Sequence, residues 1–273
     1  MLSLQDRIAT LGANTFGFYW QCTAADAVRQ LAGEGFSCFD IISAPPHFDL
    51  FQSPREEVSV LKRALRETDS RVSAINIPSM DQNLASPCAG MREYTLQLHR
   101  RAFDLARELD GARVVIIGGK KHPLAPGSKD RLLELYTSLV DQIVEHADAA
   151  GISLVLENHP LGLLPDHLSI LSFIERYEGR IGVLYDVANG LAVKEDPVVA
   201  IRTIGGSLSM IHLSDNRHGE WRHDPIGDGE VDFRAVLEAA QDQSFEGEML
   251  LEIMGDNPLG GFARARDTLQ ARL

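Results

Sequence analysis

The 273-residue chain predicts an α/β fold, a single-domain (β/α)8 TIM barrel over residues 1–273, on three observations. Eight short runs rich in Val, Ile and Leu recur along the whole length, helical patterns separate them, and no Pro/Ser-rich linker or low-complexity stretch divides the chain. The runs are IATLGA (8–13), FSCFDII (36–42), RVSAINI (71–77), ARVVIIG (112–118), ISLVLE (152–157), IGVLYD (181–186), LSMIHL (208–213) and EMLLEI (248–253). Most are apolar throughout and do not alternate, as parallel strands covered on both faces are. Between them Leu98, Ala102, Leu105, Ala106 and Leu109, and again Leu132, Leu135, Leu139, Ile143 and Ala147, each trace one face of a 3.6-residue period. Gly33 or Gly35, Gly111, Gly151 and Gly179 stand where a helix would end in a left-handed turn before the next strand. An open doubly wound sheet is the structural competitor, since alternation alone does not prove closure. The G-x-G-x-x-G turn that would equip such a sheet for a dinucleotide is missing after the first run.

Composition narrows the function classes. With 39 acidic against 26 basic residues the chain carries a formal charge of −13, which repels polyphosphate backbones and anionic lipid, so a nucleic-acid partner is disfavoured. No apolar run approaches the roughly 20 residues of a membrane-spanning helix, and Asp6 and Arg7 fall where a signal peptide would need its apolar stretch. No membrane partner and a cytoplasmic location are expected. Cys22, Cys38 and Cys88 show no C-x-x-C spacing and are read as reduced structural thiols.

In a barrel of this kind the chemistry belongs at the carboxyl ends of the strands. Glu157 closes the fifth run, Asp186 the sixth, His212 stands near the end of the seventh and Glu252 near the end of the eighth. A charge at the end of an apolar buried strand is costly unless it is paired or binds a cation. One such residue reads equally well as a strand-end cap; four on successive strands read as a site. Three carboxylates and one imidazole make a hard, oxygen-rich donor set suited to Mn²⁺, Mg²⁺ or Co²⁺ more than to a structural Zn²⁺, with positions left open for substrate.

Further candidates surround these four. The segment from Ser214 to Val231 is long for a βα loop and holds Asp215, Asn216, Arg217, His218, Trp221, Arg222, His223 and Asp224 before Asp232, which is placed to cap the next helix. His223 with Arg217 or Arg222 is expected to contact the polar head of a substrate, and Trp221 to exclude water. Trp20 follows the first strand and either lines the mouth or fills the core. His47, stiffened by Pro45 and Pro46, is expected on the active face as a substrate contact. His159 and His167 are expected to be exposed or structurally bonded, and His99 and His146 to be surface or packing residues of helices. No G-x-S-x-G elbow supports a nucleophilic serine.

The stretches LENHP (156–160), LYDVANG (184–190), IHLSD (211–215), HDPIGDGEVDF (223–233) and LLEI (250–253), in this order, resemble the xylose isomerase-like barrels of the sugar phosphate isomerase/epimerase superfamily, the AP endonuclease family 2 type. That superfamily also holds ketose 3-epimerases, hydroxypyruvate isomerases, inosose dehydratases and endonuclease IV. The resemblance covers nearly the whole chain, with Asp40 where many members have glutamate. It implies one divalent metal ion, Mn²⁺ first and Mg²⁺, Co²⁺ or Zn²⁺ next, held by Glu157, Asp186, His212 and Glu252. The two glutamates would also move a proton beside a carbonyl through an enediolate, in an isomerase or epimerase acting on a sugar or cyclitol. A dehydratase of an inosose or dehydroshikimate-like ring is the alternative, and an endonuclease IV-like phosphodiesterase a weaker one. Asn189, counted among the substrate contacts, replaces a histidine common in ketose epimerases and endonuclease IV. Trp221 replaces the aspartate of the endonuclease's Asp-x-His pair, which weakens a three-metal site. Lys120 and Lys121, or Gly260 and Gly261, are candidate phosphate contacts. Self-association into a homo-oligomer is compatible with the sequence and not specified by it.

Overall fold

Short parallel strands of three to six residues leave their backbone groups paired only if each strand finds a neighbour on both sides, and a closed barrel provides that without an edge. The computed structural model describes residues 4–51, 54–110, 113–122, 124–125 and 127–272. Its strands are β1 (Gly12–Asn14), β2 (Cys38–Ile42), β3 (Arg71–Asn76), β4 (Arg113–Ile117), β5 (Leu154–Glu157), β6 (Ile181–Asp186), β7 (Leu208–Leu213) and β8 (Glu248–Leu251). Each pairs in parallel with the next, and β1 closes on β8 through Gly12 with Leu250 and Ala13 with Leu251. Closure removes the open-sheet competitor. Ten α-helices are present among the described residues: α1 (Leu4–Ala9), α2 (Ala24–Gly33), α3 (Pro54–Glu67), α4 (Ala89–Glu108), α5 (Lys129–Ala150), α6 (His167–Ile174), α7 (Val187–Ala192), α8 (Pro197–Ile204), α9 (Phe233–Asp242) and α10 (Pro258–Arg272). None is long and apolar enough to cross a membrane.

One strand departs from its sequence reading. In IATLGA, Ile8 and Ala9 finish α1 and the strand begins only at Gly12, because Leu4, Ile8 and Leu11 recur at helical spacing and Ile8 buries itself from that helix. At the helix ends, Gly151 caps α5 in the left-handed region (φ +69°) and Gly35, not Gly33, takes that conformation after α2 (φ +92°). Gly111 lies outside the described residues.

Alternation along the strands sorts the side chains into two apolar populations. One parity, including Ile75, Val114, Leu156, Tyr185, Ile211 and Leu251, faces the helices and joins the large core. The other faces the axis, where Ala74, Val115, Val155, Leu184, Met210 and Leu250 form a separate cluster. Two residues further along these six strands stand Asn76, Ile117, Glu157, Asp186, His212 and Glu252. The period of two therefore delivers the candidate ligands as the next layer of the barrel interior, resting on a dry apolar floor.

His99 turns out to be a packing residue, buried in α4 with its Nδ1–H donating to Thr95 O at 2.7 Å. Burial pushes its imidazole down to about 4 from the ordinary 6.5, against the pull of that hydrogen bond. The folded state therefore holds His99 neutral while the unfolded chain takes up the proton first as pH falls. The stability this neutral histidine allows is fully present above about pH 6.5 and is lost between there and about pH 4. Denaturant unfolding of wild type and His99→Met at pH 7.5 and pH 4.5 is expected to show the wild type losing about 2–3 kcal/mol more than the variant on acidification. Equal losses would contradict it.

Candidate active site

Each of the four strand-end residues is set by its strand. Glu157 and Asp186 are the last residues of β5 and β6, His212 lies one residue before the end of β7, and Glu252 follows β8 immediately. All four are buried, and one donor atom from each lies within 4.8 Å of all the others. His212 is the centre of the group. Its Nδ1 is 3.1 Å from Glu252 Oε2, 3.5 Å from Glu157 Oε1 and 3.9 Å from Asp186 Oδ2. Its Nε2 lies 3.1 Å from Asp40 Oδ2 as an ion-pair contact, off the alignment of a directed hydrogen bond.

Asp40 is fully buried on β2, with Oδ2 receiving Asn14 Nδ2 at 2.8 Å and Asn76 Nδ2 at 3.3 Å. A carboxylate behind a histidine fixes the ring's orientation and raises the basicity of the opposite nitrogen. The sequence reading gave Asp40 no such role. The signal available was a charge inside FSCFDII at the axis-facing parity.

The electrostatics are those of excess acid in a dry place. Burial pushes the Glu157 carboxyl up to about 7, with the His212 hydrogen bond and charge opposing it. Asp186 rises well above the carboxylate range, first through burial and then through the charges of Glu252 and Glu157. Burial would raise Glu252 too, but the imidazoles of His212 and His223 hold it down to about 2. Burial would lower His212, and the surrounding carboxylates, Glu252 foremost, drive it well above its ordinary range. Asp186 Oδ1 caps α7 by accepting Asn189 N–H at 2.6 Å, while Oδ2 is buried without a hydrogen-bond partner. Three carboxylates, an imidazole nitrogen turned toward them and an unpartnered carboxylate oxygen fit a hard divalent cation.

Over this cluster opens a cavity of about 150 Å³. Phe16, Ile42, Asn76, Pro78, Ser79, Met80 and Ile117 line one side, and Glu157, His159, Asn189, Trp221, His223 and Glu252 the other. No lysine or arginine is among them. Larger hollows between α3 and α4 and at the amino-terminal end of the barrel lie away from the carboxylates.

The roof comes from the long segment after β7, which is pinned by Asp215. Its Oδ1 accepts Asn216 N–H at 2.9 Å and Val231 N–H at 3.1 Å, and its Oδ2 accepts Gly227 N–H at 2.8 Å. Its backbone pairs with Asp224 in both directions. Gly229 is required beneath it, since a Cβ there would meet Asp215 Oδ1 at 2.3 Å. The segment thus returns His223 over the barrel, buried, with Nδ1 3.0 Å from Ser214 Oγ, 3.6 Å from Glu252 Oε2 and 3.8 Å from Asp186 Oδ2. Asp232 caps α9 through Ala235 N–H as its position suggested.

Five candidates are placed elsewhere. Trp221 and His223 line the cavity while Arg222 between them is exposed, its Nε 2.7 Å from Asp224 Oδ2. Arg217 is exposed on the outward part of the same loop. His47 is buried with both ring nitrogens engaged, Nδ1 2.7 Å from Cys22 O and Nε2 3.1 Å from Thr15 Oγ1, so it braces the loop after β2 and does not line the cavity. Trp20 is 76% exposed, edge-on to Tyr19 and outside the cavity lining. Lys120, a phosphate candidate, donates to Met80 O. Conversely, His159 lines the cavity, its ring edge-on to Trp221 at 5.0 Å. It stands two residues beyond Glu157, just past the end of β5.

A family model described as a xylose isomerase-like TIM barrel matches residues 28–272. The L-ribulose-5-phosphate 3-epimerase UlaE of Salmonella paratyphi A is 25% identical over 224 residues, covering 80% of this chain and 78% of that protein. Among solved structures, a D-tagatose 3-epimerase-like protein has a TM-score of 0.83 at 20% identity, with 96% of this chain and 97% of that one covered. A xylose isomerase-like TIM barrel protein from Mycobacterium smegmatis in complex with magnesium has a TM-score of 0.76 at 19% identity, covering 99% and 98%. At these identities the structural likenesses establish the fold.

A divalent cation entering the cluster displaces protons, because the raised carboxyls of Glu157 and Asp186 and the raised imidazole of His212 must give theirs up to become donors. Calorimetric titration of chelator-treated protein with Mn²⁺ in buffers of different ionisation heat is expected to register more protons released per ion at pH 6 than at pH 8, with weaker binding at the lower pH. No release at either pH would contradict these charge states.

Proposed function

From the xylose isomerase-like TIM barrel family, to which this chain belongs, we propose that it is a divalent-metal-dependent epimerase, of the isomerase class, acting on a small ketose. One observation carries the reading: Glu157 at the end of β5 and Glu252 just after β8 line a single small cavity, and donor atoms of both lie within 4.8 Å of those of Asp186 and His212. The epimerase names of the sequence relative and the structural neighbour support it.

Glu157, Asp186, His212 and Glu252 would hold the cation, Mn²⁺ by the character of the donors with Mg²⁺, Co²⁺ and Zn²⁺ as the other candidates. When bound, it supplies positive charge beside the substrate's carbonyl and neighbouring hydroxyl oxygens and so lowers the cost of an enediolate. The remaining work falls to side chains. Strands β5 and β8 stand three places apart in the closed order, so the two glutamates reach the reacting carbon from different sides. One takes the proton beside the carbonyl and the other returns a proton to the opposite face; in the reverse direction the roles exchange. His223 offers a polar contact to a substrate hydroxyl. Trp221 and His159 close the roof against water, and Phe16, Ile42, Met80 and Ile117 provide an apolar wall for the C–H face of a sugar.

The cavity's size and its lack of a lining lysine or arginine favour a free ketose over its phosphate and weigh against abasic DNA. Cys22, Cys38 and Cys88 are all free thiols, in keeping with action in the cytoplasm.

The test is incubation with Mg²⁺ and a panel of ketoses, ketose phosphates and cyclitols in D₂O, followed by NMR. Deuterium at the carbon beside the carbonyl, in an epimer otherwise of unchanged mass, is expected; loss of water would move the reading to a dehydratase, and no exchange in any substrate would contradict both. Glu157→Gln and Glu252→Gln are each expected to lower kcat about 10²–10⁴-fold.

A further inference from the structure

Asn189 and Trp221, two positions at which the chain departs from the pattern it resembles, are hydrogen-bonded to each other. Trp221 Nε1 lies 2.7 Å from Asn189 Oδ1 and 3.1 Å from His223 Nε2. The surroundings decide the polarity of this junction. Asn158 is oriented by the main chain of Asp186, donating from Nδ2 to its carbonyl at 2.9 Å and accepting its N–H at Oδ1 at 2.8 Å. Asn189 Nδ2 donates to Asn158 O at 2.9 Å, which turns Asn189 Oδ1 toward the indole. An indole N–H only donates. His223 Nε2, in contact with that donor, accepts, and the ring proton therefore sits on Nδ1, the nitrogen facing Ser214, Glu252 and Asp186.

We propose that Trp221 is a positioning residue for His223: by engaging Nε2 it keeps the histidine in its Nδ1–H tautomer, so that His223 serves the site as a hydrogen-bond donor beside Glu252 and not as a further metal ligand or a base through Nε2. The backbone is arranged to the same end. His223 adopts φ +59°, in the left-handed region that residues with a Cβ avoid, and its carbonyl accepts Met254 N–H at 2.9 Å, two residues past Glu252. The indole is held from its other side by the edge-on contact with His159. A half-exposed rim residue thus sets the state of a buried one, tying together the loop after β5, helix α7 after β6 and the loop after β7.

The tautomer assignment is independent of the substrate; its effect on turnover rests on the epimerase reading. The experiment is two-bond ¹H–¹⁵N correlation of ¹⁵N-histidine-labelled, Mg²⁺-loaded protein at neutral pH, with the His223 signals identified by their loss in His223→Gln. Wild type is expected to show Nδ1–H, and Trp221→Phe, which keeps a ring and loses the donor, to shift His223 toward Nε2–H. For any ketose turned over, kcat is expected to fall about tenfold in Trp221→Phe with KM changed less than about twofold. An Nε2–H wild type, an unchanged tautomer in Trp221→Phe, or a changed tautomer with unchanged kcat would overturn the proposal. Should Trp221→Phe not fold, the wild-type spectrum decides alone. A Trp221-dependent tautomer in a protein that turns over no ketose supports the positioning role and removes the epimerase reading instead.

Discussion

Three carboxylates gathered around one imidazole, out of water and without a lysine or arginine among the residues lining their cavity, are the constraint on which the rest of the structure depends. Like charges at this spacing in a medium of low effective dielectric repel strongly, and burial alone drives carboxyls to hold their protons. A divalent ion reverses that preference. Much of the surrounding structure keeps the donors in place for it: Asp40 behind His212, itself held by Asn14 and Asn76, and Asn158 and Asn189 around Asp186. The apolar floor of Val155, Leu184, Met210 and Leu250 lies directly beneath the four candidate ligands and keeps water from entering below.

Division of labour follows the elements. The strands supply the donors, since a position on a paired strand is held by the backbone ladder on both sides. The loops supply the roof. Asp215 converts the long connection after β7 into a rigid structure by collecting three backbone N–H groups, so that His223 and Trp221 occupy defined places although they lie far from any strand. Asn189 and Trp221, hydrogen-bonded to each other, build the rim.

What the sequence showed and what it hid have the same physical origin. A charge ending an otherwise apolar run is conspicuous, and Glu157, Asp186, His212 and Glu252 were legible for that reason. Asp40 obeys the same inward parity and His159 follows just past the end of β5, but neither carried a comparable contrast, one inside a mixed run and the other in a loop. Arg217 and Arg222 were misplaced because the backbone pairing of Asp215 with Asp224, which turns that stretch outward, leaves no local mark. The position of His47 after β2 suggests the active face, but its partners, Cys22 O and Thr15 Oγ1, are distant in sequence and visible only in three dimensions. The first strand is shorter than the run IATLGA suggests, because Ile8 belongs with Leu4 and Leu11 to a helical spacing that only the residues before the run reveal.

The central claim is that these four buried groups hold one divalent cation between them. Anomalous diffraction from crystals grown with Mn²⁺, recorded on either side of the manganese absorption edge, tests it most directly. The account predicts a single strong peak within bonding distance of carboxylate oxygens of Glu157, Asp186 and Glu252 and of His212 Nδ1. A map with no peak at the barrel mouth, or with manganese bound only elsewhere on the acidic surface, would contradict it.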